Sequence, residues 1–284
     1  MEEPPMSTHS RTARSGDRVA GALAYGVVGL GLAFLAIPLA ITCLMAFDAR
    51  TFLGPLPPPA LSLHWFERLA SQADILSSLR TSLVLAVLTT ILSVSIGTAA
   101  AVGLARGDFP GKGILTSAFL SPLIVPPVVI GFGLLLFLSK AGITNGMARL
   151  LLGHVIVTAP YCIRTGLASL LGADRRLTDA AMILGATERQ AFWSITIPLM
   201  KTGIITGAIF AFAISMDDVS ISLFLSDPSA TTLPVTLVSN MRAAFDLTIA
   251  AAAVILMAVT VVLIVVLDRL VGFDNVVGQG LFRS

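Results

Sequence analysis

Long apolar runs separated by short charged clusters dominate this chain. Val19 to Phe47, Ser82 to Ala105, Gly113 to Ser139 and Leu247 to Leu267 contain no Lys, Arg, Asp or Glu. Two further runs hold charge: Leu150 to Leu171 carries Arg164, and Gly203 to Ser226 carries Asp217 and Asp218. Each is long enough to cross the roughly 30 Å of hydrocarbon that about 20 helical residues span. Inside hydrocarbon the backbone must pair its own N–H and C=O groups, so helix is the default for every run. The pattern predicts an all-α integral membrane protein with six transmembrane helices.

These runs divide the chain into a polar tail (1–18, expected to be unstructured), a first span (19–47), an outer loop (48–81), spans at 82–105, 113–139 and 150–171, a long polar loop (172–202), spans at 203–226 and 247–267, and a tail (268–284). The first run is too long for the apolar core of a secretory leader and shows no small-residue cleavage site, so it reads as an uncleaved anchor. With the N-terminus inside, eleven Lys and Arg fall on the cytoplasmic side and six on the other. That excess favours an N-in, C-in arrangement and makes 1–18, 172–202 and 268–284 cytoplasmic and 48–81 periplasmic.

Composition agrees. Of the 284 residues 56% are hydrophobic and 12% charged, half the quarter usual in soluble domains, and the mean hydropathy is +0.92. The net charge of +2 supplies no basic field for nucleic acid. Cys43 and Cys162 both lie within apolar runs, which argues against a disulfide framework and against metal ligation. No His, Cys or carboxylate cluster has metal-ligand spacing, and no nucleophile has a plausible base, so no catalytic residue is expected. Gly107-Asp-Phe-Pro-Gly111-Lys112-Gly113 has three rather than four residues between its glycines, and Gly113 stands where a phosphate loop needs Ser or Thr. It reads as a tight turn between spans.

The polar loop runs Asp179-Ala-Ala-Met-Ile-Leu-Gly185-Ala-Thr-Glu188-Arg-Gln-Ala-Phe192-Trp-Ser-Ile-Thr-Ile-Pro198. Thr178 or Asp179 can cap a short helix that Gly185 ends with a left-handed turn. Thr187 can cap a second one carrying Phe192, Trp193 and Ile195, with Pro198 limiting it. Apolar side chains on a polar loop either meet a partner or fold back on the membrane face.

Asp179, Ala180, Ala181, Gly185, Pro198 and Gly203 follow the Glu-Ala-Ala…Gly…Pro…Gly pattern of the "EAA" loop, and the chain here resembles the permease subunits of ATP-binding-cassette (ABC) importers. Asp179 replaces the usual Glu, and Thr202 stands where a proline commonly precedes the glycine. Ser62-Leu-His-Trp-Phe-Glu-Arg68, Ser121-Pro-Leu-Ile-Val-Pro126, and Ser215-Met-Asp-Asp218 followed by Thr232-Leu-Pro-Val235 resemble spermidine/putrescine-type permeases, specifically the second of their two paralogous subunits. The resemblance implies a type-I ABC importer fold in the bacterial inner membrane. It also implies a loop that docks on a separate ATPase dimer through Asp179, Ala180, Ala181, Gly185, Glu188, Phe192 and Pro198. The other implied partners are a paralogous permease and a periplasmic substrate-binding protein, with ATP bound by the ATPase and no cofactor on this chain. Opines, 4-aminobutyrate, organophosphonates and ferric iron are alternative solutes, and a stand-alone secondary carrier is an alternative of another class.

Within the spans, Asp217 and Asp218 either supply negative potential for a cationic solute, or they cap or brace helices or pair with Arg164. On a helix they point about 100° apart. Asp218 continues the small-residue stripe Gly203, Gly207, Ala211, Ser215, and Asp217 falls to one side. Arg164 is expected to have a buried partner. His154 reads as a neutral histidine at the membrane interface rather than a proton site. Pro122, Pro126 and Pro127 mark either a hinge or a simple kink.

Overall fold

A computed structural model of the chain describes residues 9–52, 54–172, 174, 176–243 and 246–271, which form helices, turns and loops with two isolated β-bridges. The first apolar run lies in α1 (His9–Ala46). This helix takes in residues 9–18 of the tail expected to be unstructured, because extending an existing helix needs no new nucleus; residues 1–8 and 272–284 lie outside the description. The outer loop carries the short amphipathic α2 (His64–Ser71), which buries Trp65 and Leu69. The second run belongs to α3 (Ala73–Arg106), whose start at Ala73 places Asp74 in the first turn, where the helix dipole favours it.

The third run is not one straight helix. α4 (Lys112–Leu120) passes through a 3-10 turn (Ser121–Leu123) and then bends by 105° into α5 (Pro127–Lys140). Pro122, Pro126 and Pro127 remove successive donors, and Pro127 holds Pro126 in an extended conformation (φ −55°, ψ 131°) before opening α5 itself. Asn145 then caps α6 (Gly146–Leu171), its side chain accepting from the Ala148 N–H at 2.9 Å.

The polar loop holds α7 (Arg176–Ile183), α8 (Glu188–Ala191) and a π turn (Phe192–Thr196) that runs on into α9 (Ile197–Asp217). The fifth run, expected to be one helix to Ser226, breaks at Asp218 and resumes as α10 (Ser222–Leu225). α11 (Leu233–Ala243) and α12 (Thr248–Val271) follow. Leu23–Ala46, Ala73–Arg106, Gly146–Leu171 and Glu188–Asp217 are each long and apolar enough to cross a bilayer; the bent α4–α5 pair adds a fifth if taken as one span. The apolar part of α12 is shorter, Thr248–Leu263.

α3, α6 and α9 pack together at the centre, and small residues set their spacing. A Cβ at Gly97 or Gly207 would collide with Cys162, and one at Gly203 with the Thr165 carbonyl. Buried hydroxyls on α3 find partners on other helices: Ser93 and Thr158 are 2.7 Å apart, Ser78 and Thr236 2.6 Å, and Ser82 accepts from the Leu233 N–H at 2.8 Å. One apolar cluster joins Ala46, Trp65, Leu69, Leu247 and Ala251, and another joins Leu85, Leu138, Leu150, Ile221 and Leu225. Along α1, Leu23, Leu30 and Phe34 are exposed, while Ala46 at its C-terminal end is buried in the first cluster.

Candidate functional site

The polar loop is a helix–turn–helix element. α7 starts at Arg176, where Asp174 Oδ1 accepts from the Arg176 N–H at 2.9 Å. Asp174, rather than Thr178 or Asp179, therefore serves the start of this helix, and Asp179 stands exposed in its first turn. The helix ends as expected at Gly185 (φ +93°), with the Ala186 N–H on the Ala181 carbonyl and the Gly185 N–H on the Met182 carbonyl, both at 3.0 Å. This is the left-handed closure that glycine alone adopts without strain. Thr187 caps α8 reciprocally with Gln190.

Pro198 does not end this second helix. The chain is helical from Glu188 to Asp217, and Pro198, the second residue of α9, lies just after a π turn (Phe192–Thr196), the kind of local adjustment that accommodates a proline within a continuous helix. The π turn before it, closed by the Ile197 N–H on the Phe192 carbonyl, joins the loop directly to the span. Ile183 and Leu184 at the tip are 85% and 88% exposed, and Trp193 is 60% exposed, so the described residues do not cover them. Beneath the tip lies a cleft of about 510 Å³ lined by Arg106, Thr178, Asp179, Met182, Glu188, Arg189 and Phe192. Ala180 is exposed, Ala181 half-buried. Arg106, the last residue of α3, donates to Thr178 Oγ1 at 3.2 Å and also to Thr196 Oγ1. It thereby ties both halves of the loop to a second span.

At the other end of α9 the chain leaves the helix at Asp218 (φ −68°, ψ 123°). Its carboxylate accepts from the Ile221 N–H at 3.1 Å, the Ser222 N–H at 2.8 Å and the Ser222 hydroxyl at 3.0 Å, competing with the backbone carbonyls that would continue the helix. The two aspartates are therefore separated by a helix end, not by a 100° step along one helix. Asp218 braces the break. Asp217 is exposed and lines an open groove of about 800 Å³ whose other walls are largely apolar, including Leu39, Ile214, Met216, Leu256, Met257 and Val261.

His154 and Arg164 both differ from expectation. His154 is 2% exposed and lies in the packed interior against α9 and α10, with Nδ1 2.8 Å from Ser215 Oγ and Nε2 2.9 Å from Ser222 Oγ. Its partners are 61 and 68 residues away, beyond the reach of local spacing. Arg164 is exposed and makes no hydrogen bond or ion pair with any described residue. It does not join Asp217 or Asp218, because its side of α6 points away from the α9 contact made by Cys162 and Thr165. Arg106 entered the sequence reading only as one of the cytoplasmic charges; its position at the end of a span was the available signal.

The family described as "Binding-protein-dependent transport system inner membrane component" matches residues 92–273, a stretch that includes the helix–turn–helix loop and the broken span. The chain belongs to this family. It is a multi-pass permease subunit of an ABC importer in the inner membrane. Among its relatives, the spermidine/putrescine transport system permease protein PotC of Shigella flexneri is 29% identical over 248 residues, covering 87% of this chain and 93% of the relative. The putrescine transport system permease protein PotI of Escherichia coli (strain K12) is 33% identical over 220 residues, covering 75% and 78%. A bacterial ABC transporter involved in the import of the acidic polysaccharide alginate shares the fold, with a TM-score of 0.73 at 16% identity over 91% of this chain and 96% of the other.

Proposed function

We propose that this permease conducts a polyamine such as spermidine or putrescine, and that Asp217 is the anionic contact on its route. The observation that carries the reading is the placement of the exposed Asp217 carboxylate, next to Asp218, in a groove whose other walls are largely apolar. A polyamine is a string of ammonium groups separated by methylenes, so a carboxylate flanked by aliphatic side chains matches it in charge and in hydrophobic spacing. An ionised carboxylate in a span costs about 2.5–3.5 kcal/mol on insertion scales, and a cationic solute offsets that cost at the moment it passes. An organophosphonate would instead meet repulsion. The relatives named for spermidine and putrescine support the same solute class.

The chain works as one of two paralogous permeases, oriented N-in and C-in, beside an ATPase dimer that binds the ATP and a periplasmic substrate-binding protein. Support for the ATPase contact is the exposed apolar tip Ile183–Leu184 over the cleft that Asp179, Glu188 and Phe192 line. Support for the external partner is a structural neighbour described as an alginate ABC transporter in complex with a periplasmic protein. Gly185 shapes the contact, and Pro198 lies where the loop passes into the span. The test is ATP-driven uptake of labelled putrescine by the reconstituted importer carrying Asp217→Asn. Uptake should fall at least about tenfold, the loss that removing one charged contact implies. Unchanged uptake and unchanged solute preference would overturn the pathway role.

A further inference from the structure

His154 is the most deeply buried imidazole among the described residues, and it sits across the break in the fifth span. Ser215 is in the last turn of α9 and Ser222 is the first residue of α10, so its two ring nitrogens meet the two sides of the interruption. The backbone of His154 is itself held: Thr158 Oγ1 donates to the His154 carbonyl at 2.7 Å, and Thr158 pairs with Ser93 on α3. The void beside the ring is about 10 Å³, near the lower limit for one water. Ser215 thus depends on the ring itself, and Ser222 shares its hydroxyl between the ring and Asp218.

The Ser222–Asp218 bond orders the links. A serine hydroxyl has one proton. That of Ser222 goes to the Asp218 carboxylate, which accepts at 3.0 Å, so Ser222 Oγ can only accept from His154 Nε2–H. Nδ1 is then the bare nitrogen and accepts the Ser215 proton. The neutral ring is locked in one tautomer within a chain that runs Ser215, His154, Ser222, Asp218. His154 Nε2 is 3.8 Å from Asp218 Oδ2, close enough for the imidazole to reinforce the carboxylate that braces α10.

We propose that His154 is a positioning residue for the solute route: it clasps the two halves of the broken span and so holds the groove wall formed by Asp218, Val219 and Ser220 beside Asp217. The proposal rests on the reading of Asp217 as the solute contact. Without the clasp, the Ser215 hydroxyl loses its acceptor and the Ser222 oxygen loses its donor, nothing from α6 holds the two sides of the break together, and α9 is free to continue past Asp217. Continuation leaves Asp217 on α9 but carries Asp218, Val219 and Ser220, which line the same groove, to new positions, and so changes access to the Asp217 side chain.

The test reads position directly. In the assembled importer, with Cys43 and Cys162 replaced by Ala, Asp217→Cys is labelled with a small cationic methanethiosulfonate, and the rate is compared with and without changes at His154. His154→Leu should slow labelling about tenfold, the change expected for losing a buried hydrogen-bonded link. His154→Gln, which keeps one acceptor and one donor, should restore most of the rate. If His154→Leu no longer co-purifies with its partners, Ser222→Ala carries the test, since it deletes one hydroxyl and should slow labelling in the same direction. Equal labelling rates in the parent and in whichever of these two variants assembles would overturn the clasp. Labelling is independent of solute, so an uptake-competent Asp217→Asn importer would defeat the polyamine reading while leaving this outcome to be judged alone.

Discussion

Charged side chains in this protein act through a few short contacts whose geometry decides their role. Asp48 and Arg50 in the outer loop show it most simply. Arg50 Nε and Nη2 meet the Asp48 carboxylate at 3.0 and 2.6 Å, and Trp65 Nε1 donates to the Asp48 carbonyl at 2.8 Å. The Arg50 guanidinium holds the Asp48 carboxyl below the usual carboxylate range, outweighing the opposing effect of burial. A carboxyl lowered on folding stabilises the fold above its ordinary pKa, about 3.9, and that contribution is lost as pH falls through the lowered value. Trp65 fluorescence, read with Trp193→Phe, should therefore stay constant near neutrality and change only below about pH 4, while Asp48→Asn should show the acid-like signal already at pH 7. A flat profile in the parent down to pH 2 would remove this clasp from the account.

Among the elements, the helix–turn–helix loop is where sequence and structure meet best. Gly185 and Thr187 announce their positions because a left-handed turn and a capping box are local chemistry. No atom lies within 4 Å of a Cβ built on Gly185, so substitution there is opposed by backbone strain alone. Gly185→Ala should lower coupled uptake modestly, at a cost of about 1–2 kcal/mol in the turn, and Gly185→Val should lower it further; equal activity of all three chains would show that the turn is not needed. Arg106 joins this loop to α3 through Thr178 and Thr196. Arg106→Ala leaves the exposed tip intact, so the ATPase should still co-purify while solute moved per ATP hydrolysed falls several-fold. Loss of ATPase binding instead would make Arg106 part of the docking surface. The loop's junction with α9 was less legible: Pro198 reads as a stop, yet the π turn before it lets the helix run on through the proline.

As a whole molecule the chain is incomplete in its contacts. Most of α1 is apolar and exposed, Arg164 projects from α6 without a described partner, and the apolar loop tip is uncovered. A tagged chain expressed with its importer should bring down an ATPase and a second permease. The purified chain alone, in liposomes with a proton or sodium gradient, should take up no putrescine. Gradient-driven uptake by the isolated chain would restore the stand-alone carrier.

Hydropathy alone determined the membrane class and the approximate place of the helices, since every apolar run must satisfy its own backbone in hydrocarbon. Local chemistry determined the loop's turn and cap. The bend at Pro126 and the break at Asp218 were only partly legible, because a proline or an aspartate states that a helix can end, and the packing around it decides whether it does. The partners of His154 and Arg106 belong wholly to the tertiary structure. Ser215, Ser222, Thr178 and Thr196 are ordinary hydroxyls in sequence, and only the close approach of α3, α6 and α9, permitted by glycines at their contacts, brings them within hydrogen-bond reach.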